Sequence, residues 1–121
     1  MTTIKAYTDL EQSKKLAEIL SIESADGYWF KGFPAQPYIV YTKGTPNPGE
    51  HIPCWSLAAL LSVLPDHFYD ETGKNKFGMD KGNYRYYVFY ETQNSYIQTS
   101  ADNPVDACVD MIIKLHELKK L

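Results

Sequence analysis

The sequence has no long apolar run: nothing in its 121 residues approaches the roughly 18 apolar side chains that a membrane-spanning helix requires. Met1-Thr2-Thr3-Ile4-Lys5 leads into polar helical sequence and lacks the apolar segment of a secretion signal. Cysteine is scarce, with Cys54 and Cys108 the whole complement. Two cysteines in apolar stretches are expected to be reduced, buried thiols of a cytoplasmic protein, with a single bridge between them as the alternative. Charge of one sign is scarce too. Twelve basic and fifteen acidic residues are interleaved and leave a net −3, which argues against a nucleic-acid binder with a basic face. No P-loop, G-x-G-x-x-G or G-x-S-x-G occurs. No membrane association and no cofactor are expected, and enzymatic activity finds little support.

What is present suits a single compact domain over residues 1–121, a length that buries roughly two-thirds of the unfolded surface. A first helix is predicted from about Asp9 to Leu20, with Thr8 and Glu11 as a T-x-x-E capping box. Tyr28-Trp29-Phe30 and Tyr38-Ile39-Val40-Tyr41-Thr42 read as strands that pair antiparallel. Lys43 to Pro53, broken by glycine and proline, reads as a loop. Cys54 to Leu64 predicts a second helix, apolar on nearly all sides and therefore buried on more than one. Asp66 to Asn83 reads as a long loop, with room for a short helical turn near His67-Phe68-Tyr69. Tyr84 to Glu91 and Ser95 to Thr99 form a hairpin around Thr92-Gln93-Asn94. Asn103 as N-cap and Pro104 at the first helical position open a final amphipathic helix. The fold class is α+β, with an antiparallel sheet of about four strands in two hairpins and three helices in the order α-β-β-α-β-β-α.

Tyrosine is the compositional outlier, at ten residues beside five Phe and two Trp. Alternation along the strand from Tyr84 puts Tyr84, Tyr86, Val88 and Tyr90 on one face and Arg85, Tyr87, Phe89 and Glu91 on the other. A core covers one face, so the other presents aromatic surface to a partner. The plainer alternative is cross-strand aromatic pairing that only stabilises the sheet. The candidate binding residues are Tyr84, Arg85, Tyr87, Phe89 and Tyr96. Lys74, Lys76 and Lys81 join them from the preceding stretch, where they are either a cation source beside the rings or a solvated loop. The leading function is a non-enzymatic module that holds a protein partner. A small-molecule or single-stranded nucleic-acid binding module, with bases stacked on rings and phosphates on lysines, is the alternative. Homodimerisation through the second helix or a hairpin edge is a further option.

Catalytic and metal chemistry have thinner support. His51-Ile52-Pro53-Cys54 gives one H-x-x-C pair where zinc sites show two clear pairs, and His67 or Cys108 would have to complete it. Cys54 at a helix start beside His51 is the best nucleophile candidate, although Trp55 next to it marks a buried segment. His116 suits the end of the last helix, where it meets the dipole favourably. Asp102, Asp106 and Asp110 are explained by capping and the dipole of that helix.

Pro53-Cys54-Trp55-Ser56-Leu57-Ala58-Ala59-Leu60-Leu61 with Leu64-Pro65, and Asp102-Asn103-Pro104-Val105-Asp106-Ala107 with Met111-Ile112-Ile113-Lys114-Leu115, resemble small uncharacterised proteins of Bacteroides-type gut bacteria and their phages or mobile elements. Ser13 to Leu20 and Ser24-Ala25-Asp26 fit the same pattern. The resemblance spans most of the chain and consists mainly of helix cores and caps. It implies a bacterial cytoplasm as the setting and an accessory role in a phage or mobile element, and it carries no activity or catalytic residue.

Overall fold

A computed structural model describes residues 5–30, 39–41 and 51–121. The α+β class, the three helices and both expected antiparallel strand pairs are present. Helix α1 spans Leu10–Ala17, followed by a 3-10 turn at Ile22–Ser24. Strands β1 (Gly27–Phe30), β2 (Ile39–Tyr41) and β3 (His51–Cys54) make a three-stranded antiparallel sheet in the order β2-β1-β3. After α2 (Leu57–Val63), strands β4 (His67–Asp70), β5 (Gly73–Lys81), β6 (Tyr86–Glu91) and β7 (Tyr96–Ala101) form a four-stranded meander. Helix α3 (Pro104–Glu117) closes the chain.

Three strands are additional to those the sequence marked. Tyr38 and residues 42–50 lie outside the described residues, but His51, Ile52 and Pro53, expected in a loop, pair with Phe30, Trp29 and Tyr28. Cys54 therefore ends a strand and does not head a helix. Asp66 to Asn83 is mostly a hairpin of β4 and β5, and His67-Phe68-Tyr69 is strand, not helical turn. Its hinge is Asp70-Glu71-Thr72-Gly73. The Asp70 carboxylate accepts from the Thr72 N–H at 2.8 Å and from the Thr72 hydroxyl, and Gly73 takes a φ of +115° that side-chain-bearing residues rarely adopt. These hydrogen bonds, led by the Thr72 hydroxyl, hold the Asp70 carboxyl below its ordinary range.

Two helix starts also differ in detail. Asp9 caps α1: its carboxylate accepts from Gln12 N–H at 2.8 Å, and the Gln12 side chain accepts from Asp9 N–H at 3.0 Å. This is a capping box one residue later than the Thr8–Glu11 pair. Thr8 instead is buried, bonded to Ser13 Oγ at 2.8 Å and accepting from Trp55 N–H at 3.1 Å. Helix α2 begins at the Ser56 cap, where Asp26 accepts from both Ser56 N–H and its hydroxyl. Leu60 and Ala59 are buried while Ala58, Leu61 and Ser62 are exposed, so α2 is covered on one side only. Asn103 caps α3 as the sequence predicts, accepting from Asp106 N–H at 2.8 Å.

The core gathers around α3. Val105, Ala107, Cys108, Val109, Met111, Ile112 and Leu115 are all buried, and they join Leu16 of α1, Trp55, Leu60 of α2, Phe68 of β4, and Val88 and Tyr90 of β6. Two of the polar groups caught in this layer find partners, whereas Asn75 Oδ1, buried on the inner face of β5, accepts no hydrogen bond among the described residues. The Tyr90 hydroxyl donates to the Pro65 carbonyl at 2.6 Å, and Trp55 Nε1 donates to Ser24 Oγ at 2.9 Å. At the start of α3, Lys5 Nζ reaches Asp106 Oδ1 at 2.6 Å and Asp9 Oδ2 at 3.1 Å. Gln12 and Asn103 also donate to Asp106, each at 2.7 Å. One carboxylate thus ties the N-terminal segment, α1 and α3 together.

Burial opposes ionisation of Asp106, but the hydrogen bonds from Lys5, Gln12 and Asn103 outweigh it and hold the carboxyl below its ordinary value of 3.8. A lowered folded-state pKa contributes stability that is complete above the unfolded value and is lost as pH falls through the folded one. Asp106→Asn is therefore expected to cost about 1–2 kcal/mol at pH 7, the scale of a charge-assisted hydrogen bond in a partly buried site. The gap to the parent should close as pH falls below about 4, read as urea midpoints across a pH series.

Candidate functional site

The register of the meander sorts its side chains cleanly. Lys76 faces His67 and Glu91, and Glu91 faces Tyr96. Gly78 faces Phe89, and Phe89 faces Gln98, while Asp80 faces Tyr87 and Tyr87 faces Ser100. Directly opposed residues project to the same side of an antiparallel sheet, so these share one face with Tyr69 and Lys74. The opposite face carries Phe68, Asn75, Phe77, Met79, Tyr86, Val88, Tyr90, Ile97, Thr99 and Ala101, the side that meets the core. Of the two faces of β6, the core takes the one bearing Val88 and Tyr90. The face bearing Arg85, Tyr87 and Phe89 is turned outward.

On that outer face the aromatics are organised. The Phe89 and Tyr96 rings stack at 5.5 Å between centroids with 28° between planes. Phe89 lies flat across the sheet, over Gly78, where any Cβ would run into its ring. A glycine inside a strand lets a ring cross to the neighbouring strand and lie on bare backbone. Tyr96 is 54% exposed and Tyr69, at the far strand, 66%. Tyr87 and Phe89 are half-buried. Both sides of the plainer reading are thus present: the rings pair across strands, and they do so in contact with solvent.

The basic residues divide. Lys74 and Lys76 stand on the outer face, exposed, and make no ion pair or hydrogen bond among the described residues. With Thr72, Glu91, Thr92, Gln93 and Asn94 they line an open depression of about 590 Å³ beside the ring stack. Arg85 reaches over β7, donating from Nε to Ser100 Oγ at 3.1 Å and from a terminal nitrogen to the Ser100 carbonyl at 3.0 Å. Lys81 is separated from them. Its ammonium sits 5.8 Å from the Tyr86 ring centre, on the core-side parity of β5. Tyr84, 89% exposed, lies in the β5–β6 turn and belongs to neither face.

The alternatives built on sulfur and imidazole lose their geometry. His51 and Cys54 are three apart on a strand, so their side chains leave from opposite sides and do not converge on one ion. Among the described residues no group of three or more His, Cys, Asp or Glu side chains gathers to hold a metal. Cys54 and Cys108 are free, buried thiols. Burial, with the Asp26 charge adding to it, pushes Cys54 up to about 12, and burial does the same to Cys108. A thiol so far from ionising at neutral pH is a poor nucleophile. His116 is exposed near the end of α3, as the dipole favours.

Gly78 was not singled out in the sequence, nor was Tyr69. The available signal was the alternation Lys74-Asn75-Lys76-Phe77-Gly78-Met79-Asp80, whose odd members are the apolar or buried ones.

Two outcomes follow from this geometry. Native protein should react with an aromatic disulfide reagent no faster than it unfolds, and prompt labelling of Cys54 would show an accessible thiol. Gly78→Ala should destabilise by about 1 kcal/mol because the Phe89 ring must leave the sheet, and the loss should largely vanish in a Phe89→Ala background. A double-mutant cycle in urea reads that coupling directly.

No helix of the described residues is long and apolar enough to cross a membrane. Compared with known proteins, the chain matches no family model, no curated protein and no solved structure.

Proposed function

We propose that this protein is a non-enzymatic interaction module that holds a protein partner on the outer face of its four-stranded sheet. The observation that carries this reading is the Phe89–Tyr96 stack, laid flat over Gly78 and open to solvent. Large rings with few rotatable bonds give contact area at small entropic cost, and a tyrosine hydroxyl adds a polar tip. Around the stack stand hydrogen-bonding and charged groups of both signs: Lys74, Lys76, Asp80, Glu91 and Gln98. A mixed polar rim about an aromatic centre is the composition of a protein interface. Asp80 and Glu91 on the same face work against a polyanion, which is why a protein is favoured over single-stranded nucleic acid. Two free, buried thiols suit a reducing cytoplasm. The resemblance to small proteins of gut bacteria and their phages extends that setting to an accessory role in a mobile element.

A photo-crosslinking amino acid at Tyr69 or Tyr96, in cells that carry the gene, tests the reading. A discrete adduct with another protein is expected from both positions and not from Glu18, an exposed residue at the C-terminal cap of α1. Adducts only with a second copy of the chain would replace the reading with homodimerisation. Salt-sensitive binding of a labelled single-stranded oligonucleotide, lost in Phe89→Ala/Tyr96→Ala, would replace it with a nucleic-acid platform.

A further inference from the structure

Along β5 the outer face presents a fixed series of groups. Lys74 comes first, then Lys76, then the Phe89 ring in the place a side chain at Gly78 would occupy, then Asp80. Successive members are two residues apart on one strand, so they recur every roughly 7 Å. Alternate side chains of a second extended chain have the same spacing. We infer that the partner presents an extended segment along β5 in which two carboxylates, one aromatic or large apolar side chain and one cation follow at alternate positions. This rests on the outer face being a protein-binding surface, and it names the chemistry of what binds there.

The two lysines are the reason for the carboxylates. Each is exposed, and neither has an ion-pair or hydrogen-bond partner among the described residues. Glu91 is the residue opposite Lys76 in register, yet the two do not pair. Between them and the β6–β7 turn lies the open depression, whose other lining groups include the Thr72 and Thr92 hydroxyls and the Gln93 and Asn94 amides. The Thr92 hydroxyl and the Gln93 and Asn94 amides can donate to a carboxylate, while the Thr72 hydroxyl is already given to Asp70. The third position of the segment meets the half-buried Phe89 ring and the exposed Tyr96 stacked with it, so a ring or a leucine-sized group covers apolar surface there. Asp80, exposed at the fourth position, repels a third carboxylate and favours a cation. The pattern fixes register: a segment slid by two residues sets a charge on the ring and its own ring on a charge, and one slid by four sets like charges against each other.

Labelled peptides provide the test. The patterned probe is Ser-Glu-Ser-Glu-Ser-Trp-Ser-Lys-Ser, together with its reversed-order form because the series can be met in either chain direction. One control exchanges Glu and Lys throughout. A second has the same composition with the charges adjacent, Ser-Ser-Glu-Glu-Lys-Trp-Ser-Ser-Ser. Anisotropy titrations should show the patterned probe, in one direction, binding roughly tenfold more tightly than both controls. Lys74→Glu/Lys76→Glu, changes at exposed positions, should abolish that preference and shift it toward the charge-exchanged control. Equal binding of all probes, or an unchanged preference in the double variant, would overturn the inference. So would tighter binding of a thymidine 15-mer than of any peptide. If crosslinking from Tyr96 captures a protein while the probes fail, the charge pattern is wrong and the interaction surface stands; if both fail, both are wrong.

Discussion

The contact between α3 and the inner face of β6 decides how the rest of the molecule presents itself. Both faces of β6 carry aromatic residues, and a helix can cover only one. Val88 and Tyr90 go inward because they fit a layer already filled by Cys108, Met111, Ile112 and Leu115. Tyr90 can do so because its hydroxyl finds the Pro65 carbonyl, and its ring meets Phe68 and Phe77 at 5.2 and 5.5 Å. Burial then raises the phenol pKa, which keeps the group neutral inside. With those two committed, period two leaves Tyr87 and Phe89 no choice of side. Every opposed residue on β5 and β7 follows, and so does the composition of the outer face.

That chain of consequences explains what was legible in the sequence. The last helix was readable nearly to its ends, since Asn103, Pro104 and a sustained apolar stripe all point to it. The hairpin of β6 and β7 was readable because aromatic and β-branched residues crowd two runs across a short turn. The β4–β5 hairpin was not readable in the same way. Lysines, an asparagine and two glycines make β5 poor in strand formers, and it holds its conformation by pairing on both edges. Tertiary pairing overrode weak local preference. The same holds for β3, where Pro53 hid a strand. The two-faced aromatic pattern of β6 posed the right question, but its answer needed to know where α3 lies.

The binding candidates divide by the same physics. Tyr87 and Phe89 were placed on one face because strand alternation is strict, and register adds Tyr96 to that face, whereas Lys74, Lys76 and Lys81 were grouped by closeness in sequence. In a strand, closeness in sequence separates: Lys81 differs in parity from the other two and lands on the other side, against Tyr86. Alternation also removes the H-x-x-C pair, because three residues along a strand reverse direction where three along a helix would not. Element type, more than residue identity, decided which constellations could exist.

Gly78 gives the clearest reason to regard the outer face as more than leftover surface. Glycine inside a strand costs roughly 0.5–1 kcal/mol relative to alanine, and β-branched residues fit a pleated surface better still. A sheet built only for stability would place valine or threonine opposite Phe89, and the ring would then stand away from the sheet. With glycine there, the ring lies down, partly shielded and flat, stacked on Tyr96. The flattening hides some apolar area, which offsets part of the glycine cost and limits indiscriminate sticking. It also fixes the ring in one place between Lys76 and Asp80, so that charge and ring are held at a constant spacing. A surface left over from folding needs no such register; a surface that selects its partner does.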